Sequence, residues 1–88
     1  MQEIFCPINQ FVLKQKIYKI DTETGEKDLI ALCDLINLPD TLEAIMKEQQ
    51  IYTLHFNGDQ NFISDVSEKI ETNFNLNYGI SDLVIKYN

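Results

Sequence analysis

The last third of the chain most constrains what it can fold into, because three kinds of apolar spacing follow one another between residues 51 and 87. Ile51-Tyr52-Thr53-Leu54-His55-Phe56 is β-branched and aromatic, and it stops at Asn57-Gly58-Asp59, which is turn chemistry. Next, Ile63, Val66, Ile70 and Phe74 recur at helical spacing, while Asp65, Glu68, Lys69, Glu71 and Thr72 take the other side. Asn75 to Ser81 interrupts this pattern, and Leu83-Val84-Ile85-Lys86-Tyr87 resumes an alternating one. The spacing predicts strand, helix, strand, with strands 51–56 and 82–87 parallel in one sheet and the helix crossing between them.

Upstream, Glu3 to Cys6 reads as a short extended piece ended by Pro7. Phe11 to Ile20 reads as the first long strand, with Phe11, Leu13 and Ile17 on one side. Asp21 to Glu26 is a polar turn containing Gly25, and Leu29 to Cys33 returns either as the second strand of a hairpin or as the start of a buried helix through Ile36; the hairpin form of the turn favours the strand. Pro39 ends that element. Asp40-Thr41-Leu42-Glu43 then has capping-box form, so a helix starts there, with Leu42, Ile45, Met46 and Gln49 along one side. The expected fold is a two-layer α/β sandwich of order ββαβαβ, alternatively βααβαβ. Its mixed sheet has three or four strands, and both helices lie on one face. At 88 residues the whole chain, 1–88, makes one domain with a single small core.

Fourteen acids face seven lysines with no arginine, giving a net charge of −7. Duplex recognition needs clustered cations to neutralise phosphates, and an anionic membrane surface needs the same, so neither is an expected partner. Seven of the acids fall between Asp21 and Glu43, where Lys27 is the only base. Asp21, Glu23, Glu26, Asp28, Asp40 and Glu43 are therefore the candidate binding surface for a protein with a basic face. The acidic Met1-Gln2-Glu3 and the interrupting Pro7 argue against a secretory signal, and no run is long and apolar enough to span a bilayer; a cytoplasmic location is expected. Cys6 and Cys33 lack ligand-like spacing and read as small buried apolar groups.

Ile20-Asp21-Thr22-Glu23-Thr24-Gly25 resembles the first motif of the DEDD exonucleases. That resemblance implies an Asp and a Glu on one strand face holding divalent metals. The family's later aspartate motifs are missing, and two acids alone do not hold two metals, so the segment is read as a polar turn. Asp59 is placed to cap the helix after it, and His55 sits beside Ile51 and Thr53 on the second face of its strand in a structural role. No catalytic residue, metal ligand or cofactor site is assigned. The expected function is that of a small acidic binding or regulatory module, an inhibitor or accessory protein of the kind found in bacteria and phage. The alternative is a self-associating scaffold that dimerises through a sheet edge, at Phe11–Ile20 or Leu83–Tyr87. A small metal-dependent nuclease or hydrolase ranks last.

Overall fold

The computed structural model describes residues 1–87. Five strands and two helices follow in the order β1 (Gln2–Ile8), β2 (Gln15–Asp21), β3 (Lys27–Cys33), a 3-10 turn (Leu35–Asn37), α1 (Leu38–Gln49), β4 (Thr53–Gly58), α2 (Gln60–Asn77) and β5 (Val84–Tyr87). They form one mixed sheet, ordered β3-β2-β1-β4-β5. β1, β4 and β5 are mutually parallel, while β2 runs antiparallel to both β1 and β3. The α/β sandwich and its C-terminal parallel βαβ unit are as the spacing predicts: Thr53 pairs with Val84 and Phe56 with Tyr87.

Both helices lie on one face of the sheet. Ile4, Cys6 and Ile8 of β1, Ile17 of β2, and Leu54 and Phe56 of β4 point into the helical layer. There they meet Leu38, Leu42 and Met46 of α1 and Ile63, Val66, Ile70 and Phe74 of α2. The helix read from residues 63–74 is thus packed by the four residues whose spacing predicted it.

Five expectations about local structure need correction. The extended piece Glu3–Cys6 is the middle of a seven-residue central strand that runs through Pro7. Its ladder to β2 covers only Gln2 to Phe5, so the N–H that proline lacks falls where β1 has one neighbour rather than two. The sheet therefore has five strands, not three or four, and the order is βββαβαβ. Next, the strand read from Phe11 to Ile20 starts only at Gln15, and Phe11 and Leu13 are not core. Because β2 lies between β1 and β3, it offers no free edge; β3 and β5 are the outer strands. Finally, Pro39 does not stop an element but sits in the first turn of α1, where its fixed φ suits the helix and its missing N–H is no loss, so the helix starts at Leu38, ahead of Asp40.

Candidate interaction surface

β1, β3 and β4 all run to the same end of the sheet, finishing at Ile8, Cys33 and Gly58, and β2 starts there at Gln15. The loop between β1 and β2 is held from beneath by Gln15, whose side chain is buried. Its Oε1 accepts from the Asn9 N–H at 2.9 Å, and its Nε2 donates to the carbonyls of Asn9 at 2.9 Å and Val12 at 3.4 Å. The Asn9 Oδ1 in turn accepts from the Phe11 N–H at 2.9 Å. With its polar groups satisfied inward, the loop presents Phe11 and Leu13 to solvent at 87% and 90% exposure.

Lys14 closes the loop against the following turn, its Nζ 2.8 Å from Asp34 Oδ1, and that hydrogen bond raises the Lys14 pKa above its ordinary value. The adjoining 3-10 turn exposes Ile36 at 88%, and beside it a groove of about 620 Å³ opens between the start of α1 and α2, walled by Leu35, Ile36, Pro39, Phe62 and Val66. Exposed apolar side chains are thus gathered at this end of the domain and bordered by polar groups. The rim carries more acids than bases: Asp34 and Asp40 stand exposed beside the turn, Asp59 caps α2, and Asp65 and Glu68 border the groove, against Lys14 and Lys69.

The six acids expected to form one surface are divided among three places, one of them buried. Asp21, Glu23, Glu26 and Asp28 share the β2–β3 hairpin, at the opposite end of the sheet from Phe11. Asp21 is engaged in its own turn: Oδ1 accepts from the Glu23 N–H at 2.8 Å and the Thr24 N–H at 3.3 Å, which lowers its carboxyl pKa. This is the polar hairpin turn read from the sequence. Glu23, Glu26 and Asp28 are exposed. Asp40 belongs to the apolar end, whereas Glu43 is buried between the helices and accepts from Asn73 Nδ2 at 2.7 Å. Phe11, Val12 and Leu13 went unrecognised in the sequence because alternating apolar residues read as a core-facing strand, and Ile36 because it extends the apolar run that reads alternatively as a buried helix. The polar pair Asn9-Gln10 just before them is the signal for a loop.

The bare face of the sheet carries a second group. Glu3 is almost fully buried there, its Oε2 accepting from Lys86 Nζ at 2.6 Å, with His55 Nδ1 at 3.7 Å from Oε1. His55 stands edge-on to Phe5 with ring centroids 5.3 Å apart, and Lys27 lies 4.8 Å over the same ring. Chemically this is a packed ion-pair cluster. Cys6 and Cys33 are free thiols on the helical side; burial raises both, Cys6 to about 12, which opposes thiolate chemistry. Among the described residues no group of three or more His, Cys, Asp or Glu side chains is placed to hold a metal ion, and no helix is long and apolar enough to cross a membrane. No family model, curated protein or solved structure matches the chain.

Proposed function

We propose that this domain is a protein-binding module, not an enzyme, and that its partner is a protein with a basic surface that docks on the Phe11–Leu13 end. The observation that carries this reading is the loop itself: a buried glutamine fixes its backbone so that two large apolar side chains stand in water. Holding them there costs hydrophobic stabilisation, and a partner that covers them recovers it. Asp40, Asp59 and Asp65 around that end favour basic groups at the rim of the contact, Asp34 being already paired with Lys14, and the hairpin acids Glu23, Glu26 and Asp28 add long-range attraction. Regulation or inhibition of the partner follows if the covered surface is its working site. Two unpaired thiols suit a reducing cytoplasm.

The test pairs Phe11→Ser with Leu13→Ser, both at sites where side-chain loss leaves the core intact. The partner that copurifies with the wild-type protein from its native cell should be lost from the double variant while the thermal melt is unchanged. Equal recovery of that partner refutes the reading. One observation favours a second reading, a homodimer: β3 is an open edge strand of seven residues with Leu29 and Leu32 half exposed. Sedimentation equilibrium would then show a concentration-dependent dimer that Leu29→Lys disrupts and the loop variant does not.

A further inference from the structure

The helices cover only one face of the sheet, although parallel strands such as β1, β4 and β5 are ordinarily covered on both. Strand register places Phe5, Tyr18, Ile20, Leu29, Leu32 and Val84 on the bare face. Leu29, Leu32 and Val84 are 52%, 54% and 46% exposed, and both Ile30 and Ala31 turn to the core because β2–β3 pairing shifts register at Ile17/Tyr18. The charges on this face differ from those of the rest of the molecule. Lys16, Lys27 and Lys86 stand on it against one carboxylate, Glu3, which is buried and already bonded to Lys86, so three positive charges minus one leave +2. By contrast, α1 and α2 together carry six acids and two lysines, or −4. Lys16 lies at one end of the β2–β3 pair, Lys27 at the other, and Lys86 on the far outer strand, so the lysines surround an apolar centre formed by Phe5, Tyr18 and Leu29.

We propose that this face binds an acidic amphipathic helix supplied by a partner, which completes the sandwich with a third layer. A helix fits better than a strand because the site is a face rather than an edge, and helices are what cover parallel sheets elsewhere. The apolar stripe of such a helix covers Tyr18, Leu29, Leu32 and Val84, and its carboxylates meet Lys16 and Lys27 at the rim, Lys86 being engaged by Glu3. In a chain of net charge −7 this is the face that attracts acids rather than bases. The site is independent of the Phe11–Leu13 end.

The probe is a synthetic helix of about 18 residues with leucines along one side and glutamates along the other, compared with a counterpart in which lysines replace the glutamates. Backbone amide NMR of the full chain should show shifts confined to the five strands with the acidic peptide. Lys16→Glu with Lys27→Glu should weaken binding about tenfold or more, whereas Phe11→Ser with Leu13→Ser leaves it unchanged. The milder pair Lys16→Met, Lys27→Met and a salt titration of the wild type report on the same charges if the reversal variant does not fold. Lack of binding, shifts on the helical layer instead, equal affinity for the basic peptide, or binding of a single-stranded oligonucleotide to this face in place of the acidic peptide would each overturn the proposal.

Discussion

Lys86, on the outer strand β5, reaches over β4 to place its ammonium 2.6 Å from the carboxylate of Glu3 on the central strand β1. The bond joins residues 83 positions apart and fastens a four-residue edge strand to the middle of the sheet. Lys86→Ala should cost about 1–3 kcal/mol, less than a fully buried pair, because Lys86 is half exposed but Glu3 is left buried without its main partner. Urea unfolding of Lys86→Ala, Glu3→Ala and the double variant measures this, and the two single losses should sum to more than the double.

Ile70 sits at the centre of the apolar face of α2 and is fully buried. Ile70→Ala should lower stability by about 2–5 kcal/mol through lost burial and an unfilled cavity. A near-neutral result in urea would contradict the packing of α2 on the sheet.

Gly58 ends β4 at φ +108, and a Cβ there would lie 2.1 Å from the Ile8 carbonyl oxygen. That oxygen also accepts from the Asp59 N–H at 3.1 Å, where the chain turns into α2. Gly58→Ala must therefore push β1 and β4 apart and adopt a backbone region unsuited to a side chain, costing at least about 1–3 kcal/mol in thermal or urea unfolding. Gly25→Ala has open space around its Cβ and should cost less.

How far sequence spacing predicted structure depended on which residues were in play. Ile63, Val66, Ile70 and Phe74 were legible because one helical period decides a whole face. The capping role of Asp59 was legible as well, because its partner, the Asn61 N–H, lies two residues away. Phe11 and Leu13 misled because alternation assigns residues to faces only once a strand exists, and the loop here depends on Gln15 reaching back six residues. Pro7 and Pro39 were both read as stops, although one lies where β1 has lost a neighbour and the other opens a helix. The Glu3–Lys86 pair and the basic sheet face could not be read in advance, since only the strand order brings those residues together.

Burial raises the Cys6 thiol from 9.0 to about 12. The folded state thus binds the proton more tightly than the unfolded state. The resulting stability is fully present below about pH 9 and is lost as pH rises from there toward 12. Native protein at pH 8 should react with a thiol-alkylating reagent far more slowly at Cys6 than protein unfolded in urea, as read by mass spectrometry. Equal rates would mean that Cys6 is reachable in the native fold.

Glu23, Glu26 and Asp28 provide the test of long-range steering, because they are exposed on the hairpin at the end of the sheet away from Phe11. Changing all three to Lys shifts the charge by six units without removing a packed side chain. Asp28 pairs across the strands with Lys19, so Asp28→Lys sets two lysines opposite one another at a cost of ~0.2–1 kcal/mol; the other two sites should be nearly neutral. The variant should therefore stay folded in a thermal melt. Its association with the basic partner should slow by about tenfold or more at low salt, with little change in dissociation, because these charges act before contact and lie outside it. The wild-type rate should itself fall as salt rises to about 0.15 M, where charges more than ~8 Å apart are screened. Stopped-flow association across a salt series separates the outcomes: an unchanged rate at every salt concentration means that the hairpin acids serve solubility alone, and binding then rests on the Phe11–Leu13 loop.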